Sequence, residues 1–377
     1  MRVLHLLHSL RRGGLERVVV SVANGLNRRR VPQGVCCLHG PGPLLGALDP
    51  DVARFVLGAR PNDPTLAFRL QRVYRLFRPD VIHTVDFCSW PDATLAAVLS
   101  PRIGRVHTFH GFLSRPAARW RWMGRLLARC TDVLQAVSRD AARQAAEHFR
   151  VSADRIEVIP NGVDVVRFDP HSMAASRAAL GLPEDGLVCV TVGSLTPAKN
   201  PLLLVAAARG VRPDVHFVWV GEGPLAEAVQ EEVARAGLAH RFTLAGGAAD
   251  VRPWLASADL FVLPSDTEAA PLSLLEAMAM QLPVVATRVG EVPDMVGDQA
   301  AGLLVAPGDA AGLAAAVNAL ARDDCRRRRM AICGRGVVLD RFNQRQVLDR
   351  YEQTYEEFSS ARHRRCRGAA VPLGGCG

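Results

Sequence analysis

The sequence predicts an α/β protein of two domains built on parallel strands, and three observations carry that expectation. Short apolar runs such as Leu260-Phe-Val-Leu263 and Val284-Val-Ala286 flank a segment of helical spacing, which parses as strand-helix-strand. A length of 377 residues suits two domains. The two halves of the chain share one strand-helix rhythm, and no other repeat is evident.

Composition narrows the class. Hydrophobic residues make up 49% of the chain, ample for two cores, and no run of 18 apolar residues reads as a membrane-spanning helix. The start, Arg2-Val-Leu-His-Leu-Leu-His-Ser-Leu-Arg-Arg12, reads as a first strand. It carries two histidines and no small-residue cleavage site, unlike a secretory leader. Nine cysteines, an odd number without a Cys-x-x-Cys, argue against a disulfide scaffold and against zinc. A cytoplasmic setting follows. The net charge of +9 divides unevenly, with +12 in residues 1–180 and −3 in residues 181–377. A basic first domain suits an acidic partner, either an anionic membrane surface or a phosphorylated acceptor. With 6% aromatics and no nucleic-acid motif, nucleic acid is not expected.

Along the chain, Val3–Leu7 reads as a strand, and a helix is expected from Val18 to Leu26. Between them Gly13-Gly14 stands at a turn where backbone can approach a ligand closely, or where a tight bend is all that is needed. Asp80–Thr84 and Arg105–Phe109 read as strands, the second followed by His110-Gly111. In doubly wound sheets ligands gather beyond the carboxyl ends of strands, which is where His110 falls. Arg115–Cys130 is a candidate basic amphipathic helix, with Arg121, Arg125 and Arg129 on one face and Trp122, Met123, Leu126 and Leu127 beside it. It suits either a membrane interface or an ordinary surface position. Asn161-Gly162 is a turn signal, and residues 165–185 read as linker.

The second domain opens on Leu187–Val192 and runs through Gly193-Ser194 to Lys199, the only lysine beside 45 arginines. A site wanting a compact point charge rather than a planar fork accounts for that exception. Gly221-x-Gly223-x-x-Ala226 has the outline of a dinucleotide fingerprint, but Pro224 suits a plain helix start. Pro271 is expected at the first helical position of the central helix, whose stripe is Leu272, Leu275, Ala279 and Leu282. Two acids break that stretch, Glu268 before the helix and Glu276 within it. Helix amides around Ala270–Leu272 suit a diphosphate, and a carboxylate on either side suits sugar and ribose hydroxyls. Ser265-x-x-Glu268 has the form of a capping box, but a helix capped there would hold Pro271 in its interior at a cost of ~3 kcal/mol.

Glu268-x7-Glu276, followed by Ala277-Met-Ala-Met-Gln-Leu-Pro-Val-Val-Ala-Thr-Arg-Val-Gly290, resembles the retaining glycosyltransferases of family 4. The resemblance covers about residues 1–358. It implies the GT-B fold, two Rossmann-like doubly wound domains facing a central cleft. On that pattern residues 1–168 form the acceptor-side domain, 169–185 the linker and 186–340 the nucleotide-sugar domain. Residues 341–358 form a helix returning to the first domain, and 359–377 a disordered tail. The resemblance further implies Glu268, Lys199 and His110 as catalytic residues. Donor binding falls to Gly13, Gly14, Ser194, Lys199, Ala269, Ala270, Pro271, Leu272 and Glu276. The partners it implies are a nucleotide sugar and a sugar or lipid-linked acceptor, with no metal or other cofactor.

The sequence departs from that pattern in two places. Ser194 stands where the family usually has Arg, so phosphate binding leans on Lys199 and the helix start. Ala269 follows the first acid where Gly is common, which brings strain if that position needs a positive φ. The implied activity is transfer of a sugar from a nucleotide diphosphate to an acceptor hydroxyl with retention, in polysaccharide or glycolipid synthesis. A nucleotide-sugar epimerase of the same fold, or a silent sugar-nucleotide or lipid-phosphate binding protein, are the alternatives.

Overall fold

The computed structural model describes residues 1–111, 117–173, 176–297 and 300–368. The chain forms two compact units, Met1–Pro160 with Val347–Gly377, and Asn161–Gln346. The changeover at Asn161 comes before the expected boundary at 168, because Val163, Phe168 and Leu182 are buried in the core of the second unit. The segment expected to be linker is thus packed structure.

In the first unit the strands are β1 (Val3–Ser9), β2 (Gln33–Gly40), β3 (Ala53–Val56) and β4 (Val81–Thr84), then β5 (Gly104–Phe109), β6 (Val133–Ala136) and β7 (Ile156–Val158). All pair in parallel, in the order β3-β2-β1-β4-β5-β6-β7. The helices between them are α1 (Gly14–Arg28), α2 (Leu66–Phe77), α3 (Ser89–Val98), α4 (Ala118–Cys130) and α5 (Arg139–Phe149). Alternation along the strands splits the core. Leu4 and Leu6 of β1 meet α2 and α3, while Leu7 meets α1. Helix α1 begins at Gly14, four residues before the expected start at Val18, so Glu16 lies in its first turn, where a negative charge opposes the helix dipole.

The second unit repeats the plan with β8 (Leu187–Val192), β9 (Val215–Val220), β10 (Phe242–Gly246), β11 (Leu260–Leu263), β12 (Val284–Thr287) and β13 (Gly302–Val305). These are parallel in the order β10-β9-β8-β11-β12-β13. Its helices are α6 (Pro201–Ala208), α7 (Ala226–Arg235), α8 (Arg252–Ala256), α9 (Leu272–Ala279), α10 (Val292–Val296), α11 (Ala310–Arg322) and α12 (Asp324–Arg341). Helices α6, α7 and α11 cover one face of the sheet, and α9, α10 and α12 the other. In both sheets the strand order reverses once, between β1 and β4 and between β8 and β11. At such a switch point the loops leaving the two strands diverge and open a crevice.

The last helix, α13 (Gln344–Gly368), starts in the second unit and packs on the first. It runs through residues 359–368, expected as tail, where no proline interrupts it and Ala361 and the arginines favour continuation. Residues 369–377 lie outside the described residues. A buried polar network anchors this helix. Tyr355 hydroxyl donates to His83 Nδ1 at 2.6 Å, and His83 Nε2 meets Thr108 Oγ1 at 2.7 Å. The Thr108 hydroxyl donates to Gln135 Oε1 at 3.1 Å, and Glu157 Oε2 accepts from Gln135 Nε2 at 3.1 Å and Thr354 Oγ1 at 3.2 Å. Because the Thr108 proton goes to Gln135, His83 Nε2 must be the donor and its Nδ1 the acceptor. Beside it His5, also buried, reaches Gln33 Oε1 at 2.9 Å.

These histidines link stability to pH. Burial pushes His5 down to about 4 and His83 well below its ordinary 6.5. The folded state therefore keeps them neutral while the unfolded chain takes up protons. Stability is full above pH 6.5 and falls as the pH drops toward 4; His5 alone accounts for on the order of 3 kcal/mol. Urea midpoints for the first unit should fall steadily from pH 7 to pH 4.5, and His5→Gln should flatten that slope. A pH-independent midpoint would contradict the assignment.

Candidate functional site

Both loops leaving the switch point of the second sheet carry the residues singled out in the sequence. The loop after β8 runs through Gly193 and Ser194 to a 3-10 turn at Pro197–Lys199, and the loop after β11 runs from Pro264 to Pro271. Backbone bonds stitch them together: the amides of Asp266 and Thr267 donate to Ala198 carbonyl at 2.9 and 3.2 Å. Asn200 Nδ2 donates to Asp266 Oδ1 at 2.9 Å, and Asn200 Oδ1 caps α6 through the Leu203 amide.

At the centre of this seam Lys199 Nζ lies 2.5 Å from Glu268 Oε1. Glu268 is only 6% exposed, and the same oxygen accepts from Ser265 Oγ at 2.7 Å. The Ser265-x-x-Glu268 spacing thus makes a side-chain pair, not a capping box. An ammonium has three protons and a carboxylate two oxygens, so Lys199 keeps donors, and Glu268 an oxygen, beyond their mutual contact.

Helix α9 starts at Leu272. Pro271, with φ −69° and ψ 117°, occupies the capping position just outside, one residue short of the expected first helical position. No side chain caps this end, and the first amides of a helix have no partner within it. Glu276 is buried at 7% exposure, in the helix's second turn. Neither Ala269 nor Ala270 is among the residues with positive φ, so the strain expected of alanine after Glu268 does not arise. The demand for glycine falls instead on Gly290, with φ +50°, where a Cβ would lie 1.8 Å from the Glu268 carbonyl oxygen. The next residue, Glu291, donates its amide to Ala269 carbonyl at 3.2 Å. Thr287 Oγ1 donates to Ser265 carbonyl at 2.5 Å.

Asn161 also serves this loop, its amide donating to Ala270 carbonyl at 2.8 Å while its buried Oδ1 has no partner. The sequence marks Asn161-Gly162 only as a turn, and no spacing ties it to Ala270, more than a hundred residues on. Arg335 of α12 closes the far end of α9 by donating to Ala279 carbonyl. Ser194, standing where the family usually has Arg, is exposed, with its Oγ 3.4 Å from Thr196 Oγ1. The Gly221-x-Gly223 turn packs on the loop after β8, since a Cβ on Gly221 would lie 1.9 Å from Gly193 carbonyl oxygen. Those glycines are needed for loop packing, which leaves the dinucleotide outline without support.

In the first unit, Gly13 caps α1 at φ −129°, an ordinary extended value, and Gly14 is its first residue. A Cβ on Gly13 would lie 2.2 Å from Glu16 Oε2, whereas one on Gly14 would meet nothing within 4 Å. Burial pushes the Glu16 carboxyl up, against the pull of its own backbone N–H. His110 directly follows β5, at the carboxyl end of the sheet, and desolvation pushes it down to about 4, so it is neutral at pH 7. Among the described residues no three His, Cys, Asp or Glu gather in a group that could hold a metal. No helix there is long and apolar enough to cross a membrane.

Comparison with known proteins bears on both units. Residues 12–167 match the family described as Glycosyltransferase Family 4, and residues 186–323 the one described as Glycosyl transferases group 1. The chain is 28% identical to the Escherichia coli UDP-Gal:alpha-D-GlcNAc-diphosphoundecaprenol alpha-1,3-galactosyltransferase, over 91% of this chain and 93% of that one. It is 33% identical to the Mycolicibacterium smegmatis GDP-mannose-dependent alpha-(1-6)-phosphatidylinositol monomannoside mannosyltransferase, over 75% of this chain and 78% of that one. Among solved structures, Anabaena HepE in complex with UDP and glucose has a TM-score of 0.83 at 22% identity, covering 94% of this chain and 99% of that one.

The Gly290 contact makes a direct prediction. Gly290→Ala should destabilise the second unit by at least ~2 kcal/mol, from the left-handed backbone and the clash together. Urea denaturation of the variant checks this; an unchanged midpoint would mean that the loop has slack.

Proposed function

The chain belongs to the family 4 glycosyltransferases, with the GT-B fold, and from that premise we propose that it transfers a sugar from a nucleotide diphosphate to an acceptor hydroxyl with retention at the anomeric carbon. The observation that carries the reading is the Lys199–Glu268 pair, held between the two switch-point loops beside the start of α9. Negative charge grows on the departing diphosphate as the sugar leaves. Lys199 and the amides near Ala270 and Leu272 stabilise it, an electrostatic term that is usually the largest in such catalysis. Glu268, with one oxygen held by Lys199 and Ser265, turns the other to the donor sugar's hydroxyls. Glu276 takes the ribose diol. Ser194, Ala269 and Pro271 line the donor's path through their backbone.

In the first unit His110, neutral at pH 7, and the Gly13-Gly14 turn serve the reacting sugar and the acceptor. The reading calls on no metal, because Lys199 and the helix carry the diphosphate's charge. The acceptor is a lipid-linked intermediate of extracellular polysaccharide or glycolipid synthesis, handled on the cytoplasmic side of the membrane. Two observations support that choice: the two relatives above are named for undecaprenol- and phosphatidylinositol-linked acceptors, and the first 180 residues carry a net charge of +12. The basic face of α4, with Arg121, Arg125 and Arg129, meets the anionic surface.

Calorimetry with UDP, GDP and ADP, followed by their sugars, identifies the donor. Lys199→Ala should lower kcat/KM by about 100- to 1000-fold; a variant with wild-type turnover would remove Lys199 from the site. Glu276→Ala should raise the donor KM about tenfold and change kcat little, the mark of lost ground-state binding; an unchanged KM would contradict its ribose role. Product formed with no acceptor present would indicate epimerisation instead, and donor binding without slow hydrolysis a silent binder.

A further inference from the structure

We propose that Asn161 is a positioning residue for the donor diphosphate. It turns the Ala270 carbonyl away from the anion's place, so that the amides of Ala269, Ala270 and the start of α9 are left to face it. The inference deepens the donor reading above and rests on it. Asn161 is 7% exposed and belongs to the second unit. Two residues on, Val163 is pinned: its amide donates to Phe342 carbonyl at 2.9 Å, and its carbonyl accepts from the Gln344 amide at 3.0 Å. The Asn161 side chain thus reaches out from a fixed stretch of backbone.

Three successive carbonyls between β11 and α9 are taken up by protein. That of Glu268 packs against Gly290, where a Cβ would lie 1.8 Å from the oxygen. That of Ala269 accepts from the Glu291 amide at 3.2 Å, and that of Ala270 from Asn161 Nδ2 at 2.8 Å. No peptide here is cis, and in a trans peptide the N–H points opposite to the C=O. The Ala269 and Ala270 amides therefore point away from the loop after β12 that carries Gly290 and Glu291. Strand β11 lies between β12 and β8, so they point to the side of β8, whose loop brings Lys199. Among the described residues neither amide has an acceptor. The Leu272 and Ser273 amides, first in α9, have none within the helix. Successive free N–H groups of this kind form a concavity suited to an anion.

The Ala270 carbonyl is the weak point of the arrangement. Its peptide partner is Pro271, which has no N–H, so this peptide has only a negative end to present. Turned toward the diphosphate, that oxygen would repel it. Asn161 Nδ2 holds it back. Flipping the side-chain amide would set oxygen against oxygen, so the contact settles which atom faces the carbonyl. Asn161 Oδ1 is then left buried with no partner among the described residues. A residue serving stability alone would not leave a buried acceptor unmet. Here one oxygen goes unpaired so that the carbonyl stays fixed.

The test compares a ligand that carries the diphosphate with one that lacks it. The full chain and its variants are titrated calorimetrically with whichever of UDP, GDP or ADP wild type binds, and with the matching nucleoside in competition. Asn161→Asp keeps the shape but, ionised, has no proton for the carbonyl. Asn161→Ala removes the donor together with the unmet oxygen, so its two effects on stability oppose each other and the fold survives. Both variants should bind the nucleoside diphosphate roughly tenfold more weakly or worse, and the nucleoside within about twofold of wild type. Turnover should fall as well, with kcat down roughly tenfold or more, because the amides act on charge that grows in the transition state. Equal weakening of both ligands overturns the proposal, since it would make Asn161 a brace for the whole pocket. Diphosphate affinity within about twofold of wild type also overturns it. So does loss of the cooperative urea transition in both variants, the mark of a purely structural role. A wild type that binds none of the three nucleoside diphosphates overturns the donor reading itself, before any variant is made.

Discussion

A buried carboxylate cannot be left alone, and the second unit is arranged around meeting that condition at Glu268. Its charge is matched by Lys199, drawn from a loop 69 residues earlier, at 2.5 Å. Removing one member of such a pair strands the other in a poorly solvated place, at a cost of several kcal/mol. The contact is possible because β8 and β11 are neighbours whose following connections diverge. Everything near the pair then holds its two loops in register: Ala198 carbonyl takes two amides, Ser265 shares the carboxylate, and Gly290 leaves room behind the Glu268 carbonyl. The same lock that stabilises the fold prepares a cation and a carboxylate side by side next to a helix start.

How much of this was legible in the sequence differs by element. The central strands were, because strands buried on both faces read as unbroken apolar runs, and Leu260–Leu263 and Leu187–Val192 do. Edge strands were not: β3 spans four residues, alternates between half-buried and exposed, and offers no run to notice. Helix α12 also escaped notice, since it buries only Met330, Ala331, Gly334 and Val338 behind a front of arginines, too sparse a stripe for periodicity to reveal. The start of helix α9 was placed to within one residue by Pro271, but the helix ends at Ala279, three residues before Leu282, the last member of the expected stripe.

Within the site, Lys199 drew notice as a lone lysine and Glu268 as an acid in an apolar stretch, but their contact is tertiary and no local rule gives it. Asn161 shows the same limit. Its Asn-Gly pair announces a bend, while its amide contact with Ala270 depends on where the chain re-enters the second unit. The alanines after Glu268 are costly only if φ is positive there, and it is not; the positive φ belongs to Gly290, in the separate loop after β12 that packs against the Glu268 carbonyl. The functional roles came from resemblance to a family, and the structure supplies the geometry in which they are tested.

The last helix belongs to the first unit by contact and to the end of the chain by sequence. Tyr351 and Tyr355 fill space over His83, and without them the histidine network would open to water. On the ribosome, the strands up to β7 emerge long before their closing helix. At ~5–20 residues per second, the 195 residues between Pro160 and Tyr355 take roughly 10–40 s to make. For that interval the nascent first unit has polar side chains where its cover should be, and the later unit is free to fold ahead of it. The order of synthesis and the order of completion are therefore reversed in this chain.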